Sequence, residues 1–96
     1  MQLLTKANLK ALPAQGSTIG QGMDAVAQVK FFTPDSNWTW YATEYNPDAK
    51  LFYGLVDGFD KEVGYWGLEE LEDAVGPMGL KIERDLHFSP TALNAL

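Results

Sequence analysis

Residues 38–45, WTWYATEY, decide the fold. Trp38, Trp40 and Ala42 alternate with Thr39, Tyr41, Thr43 and Tyr45. Aromatic and β-branched side chains suit a pleated, half-buried surface, and a period of two marks a strand. Turn chemistry brackets the segment: Pro34-Asp35-Ser36-Asn37 before it and Asn46-Pro47-Asp48-Ala49 after it. Proline presets φ, and Asp and Asn side chains hydrogen-bond nearby backbone. Before the first turn, residues 26–33 (VAQVKFFT) set Ala27, Val29 and Phe31 opposite Gln28 and Lys30. After the second, residues 50–57 (KLFYGLVD) read as another strand. Short turns joining consecutive strands predict an antiparallel meander.

Further out, Asp60-Lys61-Glu62 reads as a turn and Val63 to Trp66 as a short fourth strand. Residues 67–75 (GLEELEDAV) switch to helical spacing. Leu68, Leu71 and Val75 share one face, and Glu69, Glu70, Glu72 and Asp73 take the others. Gly76-Pro77-Met78-Gly79 stops this helix. Residues 80–88 (LKIERDLHF) alternate as a further strand. Residues 4–12 predict a helix capped by Thr5, with Leu4 and Leu9 at the positions of a hydrophobic staple. Ser89 as N-cap and Pro90 at the first helical position predict a closing helix over 91–96. Residues 14–22 (AQGSTIGQG) are a glycine-rich loop. The expected fold is α+β. It has a central antiparallel meander of four to five strands, short helices at both ends and one acidic helix, in a single domain over residues 1–96.

Every aromatic residue except Phe88 lies between Phe31 and Trp66. Both faces of the middle strand therefore carry rings. One face is core. The other is covered by helices from the two ends, or is left as an exposed aromatic surface that marks a partner site.

Composition narrows the chemistry. Hydrophobic residues make up 46% and charged residues 21%, which is ordinary for a folded chain. With no cysteine, disulfides, thiolate metal sites and cysteine nucleophiles are excluded. No apolar run approaches the roughly 18 residues of a membrane span. The opening Met1-Gln2-Leu3-Leu4-Thr5-Lys6 lacks the pattern of a signal peptide, so a cytoplasmic protein is expected. Gly20-Gln21-Gly22-Met23-Asp24-Ala25 fits a dinucleotide fingerprint only superficially, because no strand precedes it and no long helix follows. Its glycines read as backbone devices.

His87 is the single histidine, with Asp85 and Ser89 on the same side of a strand. Neighbours on one side of a strand stand about 7 Å apart, which is no triad spacing. The carboxylate pairs Glu44 with Asp57 and Asp60 with Glu62 read as surface acids in a domain too small for a glycosidase cleft. Asp57, Asp60 and Glu62 offer oxygen ligands but lack a regular calcium loop. No catalytic residue, cofactor or metal is expected, and the chain reads as a non-enzyme.

The charge is more distinctive. Lys and Arg number 7 against 13 Asp and Glu, giving a net charge of −6. Residues 57–73 hold Asp57, Asp60, Glu62, Glu69, Glu70, Glu72 and Asp73 against Lys61 alone, which accounts for the entire imbalance. Direct binding of nucleic acid is disfavoured, since that needs a basic patch. Carboxylates along a helix and an adjacent hairpin can instead imitate a row of phosphates and occupy a partner's basic groove.

At residues 31–44, FFTPDSNWTWYATE, the chain resembles a family of small uncharacterised proteins found mostly on bacterial plasmids, integrative elements and phages. The resemblance continues through Leu3-Leu4-Thr5-Lys6, Gly20-Gln21-Gly22, Phe52-Tyr53-Gly54-Leu55-Val56 and Glu62-Val63-Gly64-Tyr65. It extends to Leu68-Glu69-Glu70-Leu71-Glu72 and Ile82-Glu83-Arg84-Asp85-Leu86. That family carries a domain-of-unknown-function label and supplies no catalytic residues. The resemblance implies a mobile-element context, in which small acidic proteins often blunt host defence, as anti-CRISPR and antirestriction proteins do.

The leading expectation is a non-enzymatic acidic binder of a host nucleic-acid-targeting complex. It would work through Asp57, Asp60, Glu62, Glu69, Glu70, Glu72 and Asp73, with Tyr41 and Tyr45 as anchors. The alternative is an accessory or regulatory protein of the mobile element acting through an aromatic sheet face. The acidic mimic is expected as a monomer, and a homodimer hiding Tyr41 and Tyr45 would favour the alternative.

Overall fold

The computed structural model describes residues 2–96; Met1, at the head of the opening segment, lies outside the described residues. Helix α1 (Lys6–Ala11) leads into the glycine loop, then β1 (Val26–Ala27), β2 (Val29–Phe32), β3 (Thr39–Asn46), β4 (Leu51–Asp57) and β5 (Lys61–Gly67). Helix α2 (Leu68–Asp73), β6 (Glu83–Arg84) and β7 (Thr91–Ala92) complete the chain. The main sheet has the order β5-β4-β3-β2-β6 and is antiparallel throughout. β1 and β7 form a second, two-stranded antiparallel sheet. The fold is α+β, and the meander joins strands consecutive in sequence, as the turns predict.

The differences have local causes. The fourth strand is longer than Val63 to Trp66. It pairs with the whole of β4, from Leu51↔Gly67 to Asp57↔Lys61, and the turn tightens to Gly58–Asp60. The segment 26–33 divides, and the Gln28 N–H between β1 and β2 donates to the Ala42 carbonyl at 2.8 Å. Residues 80–88 keep only β6 and a Val75↔Lys81 bridge. There the Asp85 side chain accepts the His87 N–H at 2.9 Å, and such local bonds compete with a sheet ladder.

The closing helix over 91–96 does not form. Thr91 and Ala92 pair with β1, leaving a 3-10 turn over Leu93–Ala95. The Ser89 carbonyl accepts the Thr91 hydroxyl, and so few residues cannot repay helix nucleation. At the other end, Thr5 and Asn8 form a reciprocal capping box on α1. The staple stays open, because Leu4 is buried while Leu9 faces solvent.

A β-bulge in β3 sets the layers. Ala42 pairs with Gly54 and Glu44 with Tyr53, so Thr43 is an extra residue. The Thr43 hydroxyl donates to the Tyr53 carbonyl at 3.1 Å. Gly54 permits this, since a Cβ there would lie 1.9 Å from the Tyr41 carbonyl oxygen. An extra residue reverses the alternation beyond it. Tyr45 therefore joins Trp40 and Ala42 on one face, and Glu44 takes the face of Tyr41.

The Trp40 face holds the larger core: Phe31, Phe52, Trp66, Tyr45, Leu71 and Ile82, with Leu3 and Leu4 from the N-terminal segment. Phe31 meets Phe52 edge-on with centroids 5.3 Å apart, and Phe52 stacks on Trp66 at 5.5 Å. On the Tyr41 face no α-helix covers the sheet: Leu55 packs there with Ala25, Ala27 and Leu93, and Phe88 and Leu96 lie alongside.

Candidate functional site

The structure splits the acidic stretch into two groups. Asp57, Asp60 and Glu62 lie at the β4–β5 turn, where Asp57 pairs with Lys61 and Val56 with Glu62. Glu69, Glu70, Glu72 and Asp73 ride on α2, which leaves the opposite end of the same hairpin at Gly67. The Leu51–Asp57 strand between the two ends spans about 20 Å. Leu71 is the buried side chain of α2, so its four carboxylates point outward. Asp57 is half-buried, and the other six acids are exposed. The neighbouring cations neutralise little. Lys50 Nζ is 3.9 Å from Glu69 Oε1 on the open surface, Lys81 Nζ donates to the Glu72 carbonyl at 3.3 Å, and Lys61 Nζ turns aside to the Leu96 carbonyl at 2.9 Å.

The two expected tyrosine anchors do not share a face. Tyr45 is 6% exposed and packs against Phe52 with centroids 4.6 Å apart. It is a core residue, placed there by the bulge, and not a surface anchor. Burial pushes its hydroxyl pKa up, and the Glu72 carboxylate adds to the rise. Tyr41 is half-buried and lies against Phe88 with centroids 5.9 Å apart. The ammonium of Lys30 sits 5.9 Å from the Tyr41 ring centroid.

Solvent-facing aromatic surface lies in two other places: on β5, where Tyr65 is 54% exposed and its ring centroid is 4.8 Å from that of Tyr53, and at the β4–β5 turn. Phe59 is 93% exposed, next to Asp60. Its ring meets Trp38 edge-on with centroids 5.4 Å apart, and Trp38 stacks on Trp40 at 6.1 Å. The sequence reading passed over Phe59. The signal was an aromatic residue inside a Gly58–Asp60 turn, with no strand or helix to carry it inward.

Glu44 was also misread as a surface acid. It is 2% exposed, beneath the glycine loop on the Tyr41 face. The Gly16 N–H donates to one carboxylate oxygen at 2.7 Å. The Thr18 N–H donates to the other at 2.9 Å, and the Thr18 hydroxyl donates to it as well. Burial by itself raises the pKa of this carboxyl. The bonds from the Thr18 side chain and from the Gly16 and Thr18 backbone outweigh that and hold it below its ordinary value. Gly16, Gly20 and Gly22 all have positive φ, so this loop needs its glycines for backbone shape. A cleft of about 370 Å³ runs beside Glu44, bordered by Ile19, Tyr53 and Tyr65.

The weaker candidates are not assembled. Asp85 pairs with Lys30 at 3.5 Å, and His87 lies in an exposed turn. Glu44 is fixed under the loop, away from Asp57 at the far end of the β3–β4 ladder. Among the described residues, no three of His, Asp or Glu converge into a group that would hold a metal ion. Among them, too, no helix is long and apolar enough to cross a membrane. A cleft of about 540 Å³ lies between α2, the N-terminal segment and residues 80–83, with leucines making half of its lining and Gln2, Glu72, Lys81 and Glu83 also facing it.

No curated protein and no solved structure matches the chain. A family model does match, over residues 3–94, and so spans both acidic groups, the glycine loop and the whole meander. The chain belongs to the family described as Protein of unknown function (DUF2958).

Proposed function

We propose that the protein is a non-enzymatic binding protein that occupies a basic, nucleic-acid-handling groove on a partner protein. One observation carries this reading. Six of the seven carboxylates that account for the net charge of −6 stand outward on one hairpin and the helix that follows it, and of the lysines nearby, Lys50, Lys61 and Lys81, only Lys50 pairs with one of them, at 3.9 Å. Such a surface attracts lysine- and arginine-rich proteins and repels nucleic acid. The partner class that fits is a host nucleic-acid-targeting defence complex of the CRISPR or restriction type, met by a protein of a mobile element. The alternative, an accessory protein of that element acting through an aromatic sheet face, loses its two expected tyrosines, because Tyr45 is buried and Tyr41 is partly covered, and keeps only the exposed Tyr65 beside Tyr53.

The test is capture of the tagged protein from a host lysate with active CRISPR and restriction systems, at low and high salt. Capture of one nucleic-acid-handling complex at low salt only, weakened in a Glu69→Lys, Glu70→Lys, Glu72→Lys triple variant, supports the proposal. Recovery of only the protein itself or of products of the same mobile element moves the reading to the accessory role. Full inhibition by a folded triple variant removes the α2 surface from the mechanism.

A further inference from the structure

Phe59 is 93% exposed, so its ring contributes almost no burial free energy to folding. It is nonetheless held in place. Trp38 meets it edge-on at 5.4 Å with the planes at 80°, and Trp40 stacks behind Trp38 with the planes at 29°. The turn makes room for this: a Cβ on Gly58 would lie 2.3 Å from the Trp38 ring. Trp38 and Trp40 are both partly exposed. The three rings form one aromatic ridge at the end of the hairpin farthest from α2.

The rim of the ridge is negative. Asp60 follows Phe59 in the turn and Glu62 pairs with Val56 on the Trp40 face, while Asp57 and its pair Lys61 take the opposite face, where the Lys61 ammonium meets the Leu96 carbonyl. An apolar knob in a carboxylate collar is complementary to an apolar recess rimmed with arginine or lysine. Guanidinium groups can also lie over indole faces. The collar repels phosphate, which makes the occupant a protein. The acids of α2 lie about 20 Å away on a helix with no aromatic residue and act at long range, and the exposed Tyr65 near that end lines the Glu44 cleft instead.

We infer that the Phe59–Trp38–Trp40 ridge is the docking anchor for a protein surface bearing a basic-rimmed apolar recess, and that the α2 acids steer rather than anchor. This rests on the acidic-binder reading above and adds where the contact is made and what it recognises.

The probes are two synthetic peptides of equal length and arginine content. Serine in one stands where leucine stands in the other. Binding is read by tryptophan fluorescence at low and high salt. The intact protein is expected to bind the arginine–leucine peptide about tenfold more tightly than the arginine–serine peptide. Phe59→Ala should abolish that preference while leaving the arginine–serine affinity unchanged. Circular dichroism should show the fold intact, because the ring removed is exposed. A preference that survives Phe59→Ala, or no preference at all with salt-sensitive binding of both peptides, overturns the anchor and leaves the acidic reading standing. Failure of both peptides to bind at low salt overturns the acidic reading and the anchor with it.

Discussion

Glu44 on β3 holds Thr18 in the glycine loop through both the backbone N–H and the side-chain hydroxyl of that residue. The same carboxylate takes the Gly16 N–H, so one buried side chain ties to the sheet a loop otherwise held by its own turn bonds and by Asn46 on Gln15. Folding lowers the pKa of this group from its ordinary value of 4.5. Its contribution to stability is therefore present above pH 4.5 and is lost as pH falls through the lower folded value. Glu44→Gln should cost about 1–3 kcal/mol at neutral pH, because the amide presents a donor to groups that are themselves donors. Urea unfolding across the acid range checks this. The intact protein should lose stability below the ordinary value, and the variant should show a flatter dependence.

Gly54 and Gly64 face each other across β4 and β5, yet they should respond differently to alanine. At Gly54 the new methyl meets the Tyr41 carbonyl oxygen at 1.9 Å, backbone that cannot move without undoing the bulge. At Gly64 it meets nothing within 4 Å. Gly54→Ala should destabilise by about 3 kcal/mol or more. Gly64→Ala should change stability by less than about 1 kcal/mol, and thermal melts of the two variants decide the point.

Tyr45 and the α2 acids form a second contrast. Tyr45→Ala removes a ring from the core and should cost about 3–5 kcal/mol. The triple reversal of Glu69, Glu70 and Glu72 to lysine changes only exposed side chains. Its melting temperature should match that of the parent in moderate salt, while association with basic partners slows and weakens. A triple variant that fails to fold would show that these acids carry structure as well as charge.

Asp35 fastens the turn after α2. Its Oδ2 accepts the N–H groups of Met78 at 2.7 Å and Leu80 at 3.4 Å, and Gly76 lies so close that a Cβ would reach 1.5 Å from Oδ1. Asp35→Ala should cost about 1–2 kcal/mol and speed hydrogen exchange at the Met78 amide. Unchanged exchange there would mean that the turn is held by its own Gly79-to-Gly76 bond.

Much of this architecture can be read in the chain because the meander is local. Alternation at 39–46 and 51–57, with Asn and Pro between them, fixes strands, turns and antiparallel sense together. The bulge cannot be read from Thr43 itself. Its one trace is Gly54 in an otherwise apolar strand, since a strand glycine often marks a bulge or a close backbone approach. That single extra residue sends Tyr45 into the core and Glu44 beneath the loop, and so undoes the pairing of Tyr41 with Tyr45. The acidic stretch could be counted from sequence. Its division could not, because that depends on where β5 carries the chain before α2 begins. Short segments near the C-terminus were misjudged because local propensity decides little there. Thr91 and Ala92 are claimed by a partner strand from the other end of the chain.

That last pairing orders events in time. β2 to β5 can zip through tight turns as soon as their residues are available, whereas β1 must wait for Thr91 and Ala92, which lie downstream of every meander strand. Until that tail docks, Leu55 and the ring of Tyr41 lack their Leu93 and Phe88 cover. A nascent chain thus passes through a stage with its sheet complete and one side still adhesive, and late arrival or proteolytic loss of the tail would present as clumping before it presented as unfolding.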